Sequence, residues 1–313
     1  MKEVIAVKYS KKNEVLGISY NDSIGTEGVL KKKGKVSYVT FPVLEELPFI
    51  KHGFSTREGG ESKGYLGSMN LSYSRGDDPE TVDYNFKTIC DVLKIDTENL
   101  VLSDQVHETK VHVATKEDCQ GENLRERKLK GIDGLITNEK KVALCTSYAD
   151  CVPLYMVDKE KRAIGHSHSG WRGTVGKIGK KTIEKMEEQF GTKAEDVIAV
   201  IGPSICQNCY EVSQDVKNAF EGFVNADLIV EQQHMSKEYV EKMIDAVFRE
   251  KENNKYDLDL WLANQLIFME AGVKKENISV SCMCTCCNSE IFYSHRASCG
   301  KRGNLAGFLV LEE

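Results

Sequence analysis

No apolar run in this chain approaches the ~20 residues that a membrane-spanning helix requires. Basic residues are not in surplus either: 42 Lys and Arg stand against 48 Asp and Glu, for a net charge of −6. A partner rich in phosphate, such as nucleic acid, is therefore not expected. No internal repeat and no low-complexity linker breaks the 313 residues, so a single domain is expected. Only five prolines occur, within an ordinary globular composition of 41% hydrophobic and 29% charged residues. Histidine is scarce too. Seven of them are few for an oxidase that must ligate several copper ions. Gly59-Gly60 lacks the trailing Gly-Lys-Ser/Thr of a phosphate loop. The opening run Met1–Ser10 is too short and too charged in its apolar part for a leader peptide. The expectation is a cytoplasmic chain with no nucleic-acid or membrane partner.

Cysteine is the exception, with eleven residues. An odd count cannot all pair, and in a reducing compartment such residues are free thiols, metal ligands or a nucleophile. They crowd near the C-terminus as Cys282, Cys284, Cys286, Cys287 and Cys299. Cys206-Gln-Asn-Cys209 is a Cys-x-x-Cys that could build a structural zinc site with members of that group. Read as one block, Cys-x-Cys-x-Cys-Cys matches no zinc pattern, and reduced thiols near a strand end are the expectation.

Strand-like runs alternate with helical ones. Val36–Phe41 reads as a strand after a turn at Lys33-Gly34-Lys35, and Asn21-Asp22 reads as another hairpin turn. Asp78-Pro79 opens a helix with Val82, Phe86, Ile89 and Leu93 on one face. Strands are expected at 101–107, 110–114, 132–137, 142–145, 152–157, 162–166, 197–201, 278–282 and 305–311. Helices are expected at 174–190, 213–221, 236–251 and 257–271. The charged stretch 117–130 reads as an exposed loop. Runs of strands with helices between them indicate an α+β fold.

Ala163-Ile-Gly-His-Ser-His-Ser-Gly-Trp-Arg-Gly-Thr174 sets two histidines, an arginine and three glycines beside a strand-like run. A packed core has no use for that mixture. Upstream, Cys151 follows Asp150 where a buried strand begins. A cysteine and a histidine that converge form either a nucleophile–base pair or part of a metal site. His107, Cys151 and His168 are the candidates. Two imidazoles and a thiolate would leave the fourth position of a tetrahedral zinc ion open, the layout of a catalytic site. His166, on the same strand face as His168, is ancillary. Arg57 and Arg172 lie in glycine-bearing loops suited to gripping an anion. Asn70 and Ser72 orient a polar substrate or cap a turn.

These residues belong to an ordered series: Gln105-Val-His107, Asp133–Thr137, Ala149–Pro153, His168–Thr174, Ile201–Ile205, Cys209–Val212, Asp257–Leu260, Cys284-Thr285 and Phe292–Arg296. The series, over roughly residues 50–311, resembles the laccase-domain family, known as polyphenol oxidase, purine nucleoside phosphorylase or peptidoglycan editing factor. The resemblance implies a single-domain, four-layer αββα sandwich with mixed sheets. On this reading, residues 1–45 form a β-hairpin extension of the domain and 46–313 its main body. It also implies zinc at His107, Cys151 and His168, with copper as the alternative ion. Purine nucleosides and phosphate are the implied substrates, with phosphorolysis of adenosine, inosine and methylthioadenosine and deamination of adenosine. Arg57 and Asn70 match loop positions near the family's site. The family's closing Thr-Gly-Arg is here Lys301-Arg302-Gly303, and Ser169 and Cys206 replace a usual Ala and Gly. Two further readings stand beside phosphorolysis. One is a copper-dependent phenol oxidase. The other is a cysteine amidase acting on peptidoglycan precursors, with Cys151 as nucleophile and His168 as base.

Overall fold

The computed structural model describes residues 6–23 and 25–312; Met1–Ile5, the start of the run considered above as a leader, lie outside the described residues. One sheet gathers β1 (Val29–Lys33), β2 (Val36–Thr40), β3 (Ile50–Ser55), β4 (Leu100–Asp104), β6 (Leu129–Lys130), β8 (Ala143–Tyr148) and β16 (Leu305–Leu311). Its strand order is β1-β2-β3-β16-β8-β4-β6. A second sheet holds β5 (Val111–Val113), β7 (Gly134–Thr137), β9 (Val152–Asp158), β10 (Ala163–Ser169), β11 (Val197–Ile201) and β15 (Ile278–Val280), in the order β15-β11-β9-β10-β7-β5. Both are mixed: β4 runs parallel to β8 and β11 parallel to β15, while β16 lies antiparallel to β3 and β8. A small third sheet joins β12 (Glu211–Ser213), β13 (Phe248–Lys251) and β14 (Lys255–Leu258).

The helices are α1 (Pro42–Glu45), α2 (Pro79–Leu93), α3 (Trp171–Val175), α4 (Ile178–Phe190), α5 (Gln214–Ala219), α6 (Ala226–Gln233), α7 (Lys237–Asp245) and α8 (Leu260–Glu270). Three apolar cores define the layers. Val82, Phe86 and Ile89 of α2 meet Leu102, Cys145, Phe308 and Val310 on one face of the first sheet. Its other face, with Phe54, Leu144 and Leu309, packs on Tyr155, Val157 and Ile164 of the second sheet. The far side of the second sheet, with Leu154, Met156 and Ile201, is covered by Ile183 and Met186 of α4 and by Trp261 and Phe268 of α8. The result is the αββα sandwich of an α+β fold. Each large side chain buried this way stabilises by about 1.5–3 kcal/mol.

Local signals set the ends of several elements. Asp78 caps α2 by accepting from the Thr81 N–H, Pro79 occupies the first turn, and Lys94 ends the helix in the left-handed region. Asp259 caps α8 through the Leu262 N–H. The same carboxylate accepts from the Tyr20 hydroxyl at 2.6 Å and the Asn13 amide at 2.5 Å, which docks the N-terminal segment.

Three expectations are corrected. The helix expected over 174–190 begins at Trp171 and breaks at Gly176-Lys177, where Lys177 turns left-handed at φ 59. A Cβ on Gly176 would lie 2.5 Å from the Thr109 side chain, so only glycine fits at the break. The helix expected over 236–251 stops at Asp245, and Phe248–Lys251 pairs with Lys255–Leu258 instead. Asn253 and Asn254, at φ 60 and 54, make the tight turn that both-positive φ values allow. Asn21-Asp22 is not a hairpin turn. The Asn21 side chain is buried and bonds both the N–H and the C=O of Val280, at 2.7 and 3.0 Å.

Candidate metal centre

Three segments arrive at one point where the two large sheets meet. His107 follows β4, Cys151 sits between β8 and β9, and His168 lies near the end of β10. Their ligating atoms all fall within 4.8 Å of one another, with Cys151 Sγ and His107 Nε2 at 3.9 Å. Two such ligands on a tetrahedral zinc ion, with Zn–N about 2.0–2.1 Å and Zn–S about 2.3 Å, are separated by about 3.6 Å. The donor set and its spacing fit that ion. Of the three, His168 is buried, Cys151 partly exposed and His107 exposed, so one side of the cluster faces solvent.

Asp133, at the entry to β7, organises the cluster. Its carboxylate accepts from His168 Nδ1 at 2.8 Å and from the backbone N–H groups of Val106, His107 and Glu108 at 3.0, 3.0 and 3.1 Å. Three successive N–H groups can converge because His107 adopts a left-handed conformation, φ 65, uncommon for a residue with a side chain. The His168 bond leaves Nε2 for the cluster and fixes the tautomer. Gln105 anchors the same loop, donating to the Ser147 carbonyl at 3.1 Å and accepting from its N–H at 2.7 Å. Asp150, also left-handed at φ 84, accepts from the Thr285 hydroxyl at 2.6 Å and the Arg296 N–H at 2.7 Å, which holds the turn into Cys151.

Electrostatics follow the packing. Burial opposes ionisation of Cys151, but the charge on His168 and hydrogen bonds from both histidines outweigh it and bring the thiol down to about 6. Burial likewise opposes protonation of His168, yet Cys151 and Asp133 raise it to about 9. Each of the two groups thus favours the charged form of the other. His166 is a different case. It is fully buried between the sheets, tilted against the Tyr155 ring at 4.2 Å and bonded through Nδ1 to the Leu154 carbonyl at 3.1 Å. Burial is the main cause that pushes it down to about 3, and it stands outside the ligand group. Gly307 of β16 makes room for it: a Cβ there would lie 2.5 Å from His166 Nε2.

The cluster opens into a cavity of about 750 Å³. Arg172, one of the arginines expected to grip an anion, lines it, and Ser72 lies on its wall. Arg57 and Asn70 do not. The Arg57 guanidinium is spent on the carbonyls of Gly67 and Ser289 at 2.9–3.0 Å, over the Tyr293 ring. Asn70 is fully buried and holds Ser72, Asp77 and Asn304. Both shape the scaffold behind the wall rather than the wall itself. Reasoning from the sequence missed most of the cationic lining: Arg75, Arg125, Arg127, Arg296 and Arg302, with His295 beside them. Arg125 is paired with Asp83. Among the described residues, no carboxylate lies within ion-pair distance of Arg75, Arg127, Arg172, Arg296 or Arg302. Arg75 and Arg302 both donate to Asn304 Oδ1, and the buried Arg302 Nε has no partner. Burial first, and then the neighbouring Arg75, lower Arg302 to about 10.

Comparison with known proteins adds to this picture. A family model described as multi-copper polyphenol oxidoreductase laccase matches residues 51–312. Purine nucleoside phosphorylase YlmD of Bacillus subtilis is 37% identical over 83% of this chain and 88% of its own length. A purine nucleoside phosphorylase of Bacteroides thetaiotaomicron is 35% identical over 90% and 98%. Adenosine deaminase RL5, from an unknown prokaryotic organism, is 33% identical over 81% and 93%. The crystal structure of the Bacillus licheniformis hypothetical protein YfiH superposes with a TM-score of 0.80 at 28% identity, covering 90% of this chain and 99% of that one.

Proposed function

Since the chain belongs to the multi-copper polyphenol oxidoreductase laccase family, we propose that it is a zinc-dependent purine nucleoside phosphorylase with adenosine deaminase activity, acting on adenosine, inosine and methylthioadenosine. The carrying observation is that an open cluster of two imidazoles and a thiolate shares one cavity with five arginines that have no carboxylate partner among the described residues. Phosphorolysis needs an anion held beside a nucleoside, and a phenol oxidase does not.

His107, Cys151 and His168 would hold the zinc ion. Bound there, zinc supplies Lewis acidity and water activation at neutral pH. Asp133 keeps His168 in the tautomer that presents Nε2, and its grip on the 106–108 backbone keeps His107 in place. Arg75, Arg172, Arg296 and Arg302, which all line the cavity, bind and orient phosphate through charge-assisted hydrogen bonds. Trp171 and Tyr210, on the same wall, offer aromatic surface to a purine base. All eleven cysteines are free thiols, which fits a reducing compartment and supports a cytoplasmic location.

Zinc-loaded protein given inosine and phosphate should release hypoxanthine, and Cys151→Ala should not. No hypoxanthine from the wild type, or equal rates from both, would defeat the proposal. One observation favours a second reading: the lowered Cys151 thiol beside two histidines also describes a nucleophile–base pair. Chelator-treated protein that still cleaves an amide of a peptidoglycan precursor, and loses this on alkylation of Cys151, would establish it.

A further inference from the structure

A second ligand group lies behind the cavity wall. The structure assigns Cys206, Cys209, Cys284 and Cys287 to a structural zinc site. Their four sulfurs all lie within 4.8 Å of one another. Cys209 and Cys287 are 3.4 Å apart, and Cys206 and Cys287 3.9 Å. A tetrahedral ion with Zn–S near 2.3 Å holds its sulfurs about 3.8 Å apart, whereas a disulfide brings them to about 2.05 Å. The spacing is that of a cage. No pair is bonded.

The chain around them is shaped for the same purpose. Each pair is a Cys-x-x-Cys: one on the tight turn at Gln207–Cys209 after β11, the other on the turn that follows β15. The N–H groups of Cys206 and Cys287 both point at Cys284 Sγ, at 3.3 Å each. Donors aimed at sulfur favour the thiolate that a metal requires. Cys206 and Cys284 are buried, the other two half-buried. Four protein ligands leave no open position, which marks a structural rather than a catalytic ion. Cys282, whose thiol donates to the Val280 carbonyl, and Cys286 stand outside the group.

The placement gives the ion a task. β11 and β15 run parallel, and the loops leaving them diverge to build the cavity wall: Ile205 and Tyr210 from the first, His295 and Arg296 from beyond the second. Zinc at the four thiolates would clasp these loops at their base. Thr285, inside the second Cys-x-x-Cys, holds Asp150 at the turn into Cys151.

The test is independent of the reaction the cavity performs. Full-length protein made with zinc and purified under reductant should carry two zinc ions per chain by elemental analysis. Cys206→Ser/Cys209→Ser should carry one. His107→Ala/His168→Ala should also carry one and, after exchange for cobalt(II), should show the intense charge-transfer bands of four-thiolate coordination. If the cysteine variant does not fold, the histidine variant carries the test alone. No zinc in the histidine variant, wild-type zinc content in the cysteine variant, iron in place of zinc, or two of the four thiols lost to a disulfide in unreduced protein would each overturn the assignment.

Discussion

Asp133→Asn is the sharpest perturbation available, because it keeps volume and changes only what the side chain can accept. Each carboxylate oxygen of Asp133 serves two donors: Oδ1 takes His107 N–H and His168 Nδ1, and Oδ2 takes Val106 and Glu108 N–H. Asparagine has one oxygen and one amide nitrogen. Whichever way it is turned, two of the four donors then face another donor. The His168 bond is buried and the three backbone bonds are partly so; a buried donor left without an acceptor costs about 1–3 kcal/mol, so the metal-free chain should lose about 1–3 kcal/mol and at most about 6. If the amide nitrogen faces His168, the imidazole also loses the bond that fixes its tautomer. If it faces Val106 and Glu108, the His107 loop is released. Removing such an orienting partner typically weakens metal binding 10–100-fold. Urea unfolding of the chelated protein reads the first quantity, and competition with a chromophoric zinc chelator reads the second. Unchanged stability would refute the bonding described around Asp133. Lower stability with unaltered zinc affinity would refute its role in orienting the ligands.

Gly170→Ala should weaken zinc binding without unfolding the chain, since its backbone is ordinary but a Cβ would sit 3.1 Å from both Cys151 Sγ and His107 Cδ2; unchanged zinc competition would count against the cluster geometry. Arg302→Met should raise the KM for phosphate about 10–100-fold, the worth of a hydrogen bond to a charged group, and leave adenosine deamination intact; equal loss of both reactions would remove the arginine from phosphate binding. His52 is buried, accepts from the Phe41 N–H at 2.8 Å, and is pushed by burial from 6.5 to about 4. The unfolded chain therefore binds the extra proton first, so its contribution is complete above pH 6.5 and falls as the pH drops toward 4, by about 2 kcal/mol at pH 5. Wild type should lose that much more than His52→Gln between pH 7 and 5 in urea titrations, and parallel losses would contradict it. Phe308→Ala, at a fully buried position between α2 and the first sheet, should cost about 3–5 kcal/mol, read as a lower urea midpoint.

Legibility in the sequence depended on how local each signal was. The α2 start at Asp78-Pro79 and the apolar strands of both large sheets were visible because capping and short apolar runs are encoded within a few residues. His107, Cys151 and His168 were visible through their motifs, though only the fold shows that they approach one another. Phe248 continued the helical spacing of Val240, Met243 and Ile244, and this hid the turn at Asn253-Asn254 that a reading of both-positive φ positions could have found. The cavity arginines come from loops hundreds of residues apart, such as Arg75 and Arg302, and nothing local distinguishes them from surface charge. Arg57 and Asn70 show the converse: polar residues in a glycine-bearing loop that the fold consumes internally. Reading Cys282–Cys287 as one block obscured the Cys284-x-x-Cys287 pair, because Cys282 and Cys286 are unrelated to it.

The position of β16 in the first sheet bears on how the chain can be made. Leu305–Leu311 lies between β3 and β8 and supplies both with their antiparallel neighbour. Synthesis runs from the N-terminus, so the strand that completes the middle of this sheet leaves the ribosome after both of its neighbours. Until then β3 and β8 present two open edges rich in apolar residues, and Gly307 cannot yet close over His166. A nascent chain cut short before residue 305 would have every described α-helix and all the candidate ligands yet lack the strand that joins the halves of the sheet. Such a chain should be a substrate for chaperones and proteases rather than a weakened enzyme.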